Sequence, residues 1–238
     1  MQNKFVKLNT KLITATKSAI NDEIKRGFYN FSNEVFNVRH LTECPRRIIY
    51  RANASEAEEI TEEEKKSKFL LDRNIQFTKK KWVDLFERTK KIEILDKDVQ
   101  AADCNYNIVG MADAIFKCNN LISVLKVDIL KPEQYHRAKL TGGLRKQIIE
   151  LMTVIWLVEV PNGILLCENQ EDDEYFMSHI IPYSPILDGI RAKCNKLVEH
   201  KCLQRLPKRS YEDRDNSECV ICEYKHTCWE KEGDKNNG

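Results

Sequence analysis

The sequence predicts an α/β fold, a mixed sheet flanked by helices and followed by an irregular cysteine-bearing tail. Three observations carry that expectation. Apolar runs of strand length occupy the middle of the chain, and stretches of helical periodicity stand before, between and after them. Three of the nine cysteines gather at positions 219, 222 and 228.

Residues 38–52 read as a helix that holds Cys44 beside Pro45. Thr61 and Glu64 form a capping box, in which two side chains satisfy amides left over at a helix start, opening a long helix towards Lys90. Its first turns place Glu62 four residues before Lys66 and Glu64 four before Lys68, the pattern of a solvated face. Residues 91–95 form a short strand. Two longer ones, 107–116 and 121–130, flank Lys117-Cys118-Asn119-Asn120, where the asparagine pair suits a hairpin turn. Residues 144–158 are apolar over most of their surface and read as a buried helix. Strands 163–168 and 175–181 enclose the acidic turn 169–174, and a helix over 185–203 precedes the tail. The expected division is an N-terminal extension (1–35), the α/β domain (36–206) and the cysteine tail (207–238).

A hydrophobic fraction of 42% supports a substantial core, and the formal charge of +2 gives no global field, so any nucleic-acid footprint must be local. No run reaches the roughly 18 apolar residues of a membrane span, and Met1 to Phe5 lack the pattern of a secretory signal. The expectation is a cytoplasmic protein with no membrane partner, or viral material made in the cytoplasm. In that reducing compartment an odd, irregular set of nine cysteines favours metal ligation over disulfides.

Cys219, Cys222 and Cys228 form C-x2-C-x5-C in a loop free to wrap a centre. Cys44, beside Arg46 and Arg47, is the candidate fourth ligand and would staple the tail to the N-terminal helix. A zinc ion held by the same three cysteines with Cys44 or His226 meets the same spacing. Cys104, Cys118, Cys167, Cys194 and Cys202 read as small core residues.

One distant cysteine followed by this C-terminal triplet resembles the RecB-like PD-(D/E)XK exonucleases that carry an iron–sulfur cluster. These include the CRISPR-associated Cas-four family, its phage-borne relatives and the AddB nuclease domain. The resemblance runs from about Phe36 to Trp229, through Thr42-Glu43-Cys44-Pro45-Arg46-Arg47, Gly110-Met111-Ala112-Asp113, Val124-Leu125-Lys126-Val127-Asp128, Gln147 and Leu206-Pro207. It implies a PD-(D/E)XK core, a 4Fe-4S cluster on Cys44, Cys219, Cys222 and Cys228, and DNA cut from its ends with Mg or Mn. Two carboxylates and a lysine are needed to hold that metal and orient the attacking water.

Asp113 matches the first carboxylate of that motif. At the E-x-K position the chain reads Lys126-x-Asp128, with the charges exchanged. Residues two apart on a strand share a face, so the Lys126 ammonium is expected between Asp113 and Asp128 in place of the metal. The family's G-x-x-x-H reads Asn74 to Thr78, and Q-x-x-x-Y keeps Gln147 but has Leu151 for its Tyr. A migrated side chain, Lys131 or Glu133, is the remaining route to an active site. The expected protein is therefore a degenerate nuclease that binds DNA, single-stranded or end-bearing, or a protein partner in a larger nucleic-acid-processing or viral assembly. An active exonuclease and a purely structural packing module are the alternatives. Arg46, Arg47, Lys79, Lys80, Lys81 and Trp82 are the expected DNA contacts, through phosphate charge and base stacking.

Overall fold

The computed structural model describes residues 35–53 and 62–229, with the backbone alone over 62–72. Six strands form one mixed sheet: β1 (Phe36–Asn37), β2 (Ile92–Asp103), β3 (Ile108–Cys118), β4 (Leu121–Leu130), β5 (Gly163–Asn169) and β6 (Tyr175–Ile180). The path runs β1-β3-β4-β5-β6, and β2 lies along the other side of β3. Strand β4 pairs β5 in parallel, whereas β2–β3, β3–β4 and β5–β6 are antiparallel.

The β3–β4 hairpin turns on Asn119 and Asn120, both at positive φ (48° and 67°), as the asparagine pair leads one to expect. Strand β2 runs much further than residues 91–95. It is an edge strand with charged residues along its open face and a register shift between Ile94 and Asp96, so its apolar signal is diluted.

Two helical layers cover the sheet. Helix α2 (Glu62–Arg88) lays Trp82, Val83 and Phe86 over Ala114, Phe116, Leu125, Val127 and Leu166 on one face. The other face carries α1 (Pro45–Ala52), α3 (Pro132–Thr141), α4 (Arg145–Val158) and α5 (Ser184–Cys202) around a larger core that includes Ile49, Tyr135, Leu151, Ile155 and Leu197. Burying these side chains supplies the main stabilisation, at about 25 cal/mol per Å² of apolar surface.

Two elements depart from expectation. Residues 38–40 form a 3-10 turn, and α1 begins only at Pro45, so Cys44 is the N-cap and not an interior residue. A proline at the first helical position costs no hydrogen bond, which explains the boundary. Helix α3 buries only Tyr135 and Ala138, and its polar composition conceals it among the strands. Two short helices, α6 (Ser217–Val220) and α7 (Lys225–Trp229), order the tail. Among the cysteines expected in the core, Cys167 and Cys194 are buried, Cys118 is half-buried, and Cys104 and Cys202 are exposed, because the last two sit at element ends. The Thr61 capping box and the Glu62–Lys66 and Glu64–Lys68 pairs lie outside the described residues and side chains. No helix among the described residues is long and apolar enough to cross a membrane.

Candidate functional site

The β3–β4 ladder runs from Cys118–Leu121 to Ala114–Leu125 and then ends. Asp113 stands where the two strands separate. Its Oδ2 accepts the Val127 amide at 2.6 Å, and its Oδ1 meets Lys79 Nζ of α2 at 2.6 Å. The side chain is 2% exposed. Gly110, three residues earlier, lets α4 approach: a Cβ there would stand 3.1 Å from both Val154 and Val38 methyls.

Lys126 and Asp128 both face α4, as their spacing requires, but their partners differ from expectation. Lys126 Nζ pairs with Glu150 Oε1 at 2.9 Å and lies 3.4 Å from the Met111 carbonyl. Thus the ammonium in contact with Asp113 is Lys79, and Lys126 does not bridge Asp113 and Asp128. Both lysines and Glu150 are buried. Gln147, third residue of α4, accepts the Leu144 amide at its own helix start (3.0 Å) and donates Nε2 to Asp128 Oδ2 at 2.7 Å. Cys167 donates to its carbonyl oxygen at 3.8 Å.

Burial and the nearby Glu150 push the Asp128 carboxyl above the ordinary range, against the pull of Lys126, the Gln147 bond and Lys79. Burial draws the Lys126 ammonium down, but Glu150 and Asp113 outweigh it and hold it charged. Three cations, Lys79, Lys126 and Arg39 (3.7 Å from Glu150 Oε1), face the carboxyls of Asp113, Glu150 and Asp128.

Glu150 was not among the expected site residues. Its signal was a lone carboxylate three residues after Gln147 on the apolar face of a helix. Lys131 and Glu133, the expected migrants, are exposed at the start of α3. Thr78, at the family's histidine position, is buried but lies beside Lys79, the residue that reaches the cluster. Leu151, at the position where the resemblance expects a tyrosine, is fully buried against Gly163, its Cδ1 2.9 Å from where a Cβ there would stand.

A second constellation forms around the tail. Cys44, Cys219, Cys222 and Cys228 line one cavity with Arg46, Arg47, Tyr50, Tyr211, Tyr224 and Trp229. Three chain segments supply the thiols. Lys193 of α5 fixes the loop ahead of Cys44 by donating to the carbonyls of Leu41 (2.6 Å) and Glu43 (2.9 Å). Arg47 and Arg51 both pair with Glu223, Arg51 also meets Glu43 at 2.9 Å, and Tyr50 stacks on Tyr224 at 5.5 Å. Burial pushes the Glu43 carboxyl up, but the bond to His40 and the charges of His40, Arg51 and Arg47 hold it at about 2.

Ser210 Oγ lies 3.5 Å from Cys44 Sγ, and Arg46 donates to Cys228 Sγ at 3.7 Å. His226 is exposed and outside the cavity lining. Among the described residues, no three His, Cys, Asp or Glu side chains converge as ligands of one metal ion.

The expected DNA contacts divide. Arg46 is 8% exposed and donates Nε to the Pro207 carbonyl at 2.6 Å; Lys79 is spent on Asp113; buried Trp82 donates its indole N–H to Glu168. These three face inward because each satisfies a buried acceptor. Arg47 is committed to Glu43 and Glu223, and Lys81 pairs with Glu168 at 2.7 Å while 41% of its side chain stays exposed. Lys80 is exposed.

No family model matches the sequence, and no curated protein matches it. Solved structures do match. The alkaline exonuclease from Laribacter hongkongensis aligns with a TM-score of 0.52 at 9% identity, over 74% of this chain and 92% of that one. The same exonuclease in complex with dAMP aligns with a TM-score of 0.53 at 9% identity, over 76% and 93%. At that identity the likeness defines the fold: the chain has the mixed, helix-flanked sheet of the PD-(D/E)XK exonucleases.

Proposed function

We propose that this chain is a Cas-four-like, RecB-like nuclease-fold protein that binds DNA, single-stranded or end-bearing, without cutting it. In this reading it acts with protein partners in a nucleic-acid-processing or viral assembly, in the cytoplasm of a bacterial or phage-infected cell. One observation carries the reading: the carboxylates that would hold a divalent cation are already satisfied. Asp113 meets an ammonium and a backbone amide, Glu150 meets Lys126, and Asp128 meets Gln147. A cation must displace these partners and enter a buried site, and removing one member of a buried ion pair costs about 3–5 kcal/mol.

Binding rests on exposed basic residues adjacent to cluster residues in sequence: Lys80 beside Lys79, Lys131 after Asp128, and Arg145 and Lys146 before Gln147. These supply the phosphate-contacting role first expected of Arg46 and Lys79, while Trp82, expected to stack on a base, is buried. Arg47 and Lys81 keep at most a partial share of that role.

The tail is proposed to carry a 4Fe-4S cluster on Cys44, Cys219, Cys222 and Cys228, with zinc as the competing occupant. The donor set fits a cluster. Four thiols from three segments border one cavity walled by arginines and aromatic rings, and a polynuclear centre spreads its ligands over several irons. Zinc instead asks for every sulfur about 2.3 Å from one point. When bound, such a centre would add folding energy by tying α1 to the tail. The division into an N-terminal extension (1–35), a nuclease-like domain (36–206) and a cluster-bearing tail (207–238) belongs to this proposal.

Glu150 gives the active-exonuclease alternative its one support, as a third carboxylate beside Lys126 and Asp128. Incubating the anaerobically purified chain with labelled single-stranded DNA and manganese separates the readings. DNA retained in a salt-dependent complex at full length is the expected result. Manganese-dependent shortening that disappears in Asp113→Asn would overturn the non-cutting reading.

A further inference from the structure

Arg46 stands apart from its neighbours in α1. Arg47 and Arg51 make carboxylate pairs near the surface, whereas Arg46 is 8% exposed. Its Nε donates to the Pro207 carbonyl at 2.6 Å, and its Nη1 donates to Cys228 Sγ at 3.7 Å. One guanidinium therefore joins the helix that follows Cys44, the Leu206-Pro207 segment and the helix that carries Cys228. Arg209 reinforces the far end. It donates Nη2 to the Cys228 carbonyl at 2.8 Å and lies 4.5 Å from the Trp229 ring centroid.

These two acceptors differ in kind. A backbone carbonyl is neutral whatever the tail holds. A cysteine sulfur is a weak acceptor as a thiol and a strong, anionic one as a metal-bound thiolate. Assembly of a thiolate centre thus converts the sulfur contact into a charge-assisted bond inside a low-dielectric cavity, where such a bond is strongest. Charge and hydrogen bonding at ligand sulfurs are among the factors that set the potential of an iron–sulfur centre.

We propose that Arg46 is a positioning residue for the thiolate centre: it fixes Cys228 against Pro207 and stabilises the more negative state of the cluster through its N–H···S bond. This rests on the iron–sulfur reading of the four cysteines. A cationic donor favours the state with the extra electron, so its loss lowers the midpoint potential.

The test uses the full chain, purified without oxygen, in wild-type, Arg46→Lys and Arg46→Gln forms. Visible spectra and sulfide content report the centre, redox titration gives its potential, and pulsed EPR of the reduced, 15N-arginine-labelled protein reports nitrogen next to the spin. The expected result is a brown wild type with an arginine 15N coupling. The potential shifts to more negative values in Arg46→Gln and by less in Arg46→Lys, with the coupling lost in both. A merely structural Arg46 would change stability but leave potential and coupling in place. Brown variants with the wild-type potential and coupling would overturn the role of Arg46 while the cluster reading stands. A colourless, sulfide-free wild type would overturn both. Should Arg46→Gln not fold, Arg46→Lys and the wild-type coupling decide the question.

Discussion

The two constellations use opposite charge strategies. At the strand fork, Lys79 pairs with Asp113, Lys126 and Arg39 meet Glu150, and Gln147 donates to Asp128. Around the cysteines, Arg46 and Arg47 line the cavity beside the thiols, with Arg46 donating to Cys228 Sγ, and Arg209 donates to the Cys228 carbonyl. The first is electrostatically closed without any ligand. The second, on the reading proposed above, would gain further interaction energy if its sulfurs became metal-bound anions. A closed cluster contributes to folding at a fixed level, whereas an open one links folding to what it binds.

The sharpest way to break this contrast is Lys126→Met. It removes the closer of the two cations at buried Glu150, leaving Arg39 at 3.7 Å, and about 3 kcal/mol of stability should be lost in urea unfolding. The double variant Lys126→Met/Glu150→Leu should recover most of that loss. A double variant as unstable as the single one would show that the pair is not an isolated, self-neutralising unit.

Glu43→Gln probes the tail side and should cost on the order of 2 kcal/mol at pH 6. The folded carboxyl sits at about 2 against an ordinary 4.5, so its contribution is complete above 4.5 and disappears as pH falls towards 2. Wild-type and variant stabilities should therefore converge over that window; a pH-independent gap would mean that the His40 bond and the ion pairs with Arg51 and Arg47 do not favour the ionised carboxyl.

Asp128→Asn should have the smallest effect, under about 1 kcal/mol, and in the stabilising direction at neutral pH. Its folded carboxyl binds a proton more tightly than the unfolded one, so stability falls as pH rises above the unfolded value. The amide keeps an acceptor for Gln147 and removes that dependence. A destabilised variant at pH 7 would show that the ionised form belongs to the native cluster.

Much of this was legible in the sequence, for stated physical reasons. Strands β3 to β6 and helix α4 announced themselves through apolar runs and turn asparagines, and the shared face of Lys126 and Asp128 followed from their spacing. Helix α3 and most of β2 were not, because each buries only part of one face and its charges follow the solvent side. Which acid pairs with which lysine was also hidden. That depends on α2 and α4 approaching the same fork from opposite faces of the sheet, a distance in space that strand spacing does not encode. The inward turn of Arg46, Lys79 and Trp82 was hidden for the same reason, since each is matched to an acceptor far along the chain.

Asp113 has a double duty that bears on how such a protein changes over generations. Its Oδ2 takes the Val127 amide at the point where β3 and β4 part, serving as the rung that the ladder lacks. An orphaned buried amide costs about 1–3 kcal/mol, with or without chemistry nearby. A residue that closes the sheet is kept for folding whether or not any chemistry takes place beside it. A surviving aspartate in a nuclease fold is therefore weak testimony for catalysis. The same logic makes asparagine the informative replacement there, since alanine would open the strand fork and confuse lost activity with lost structure.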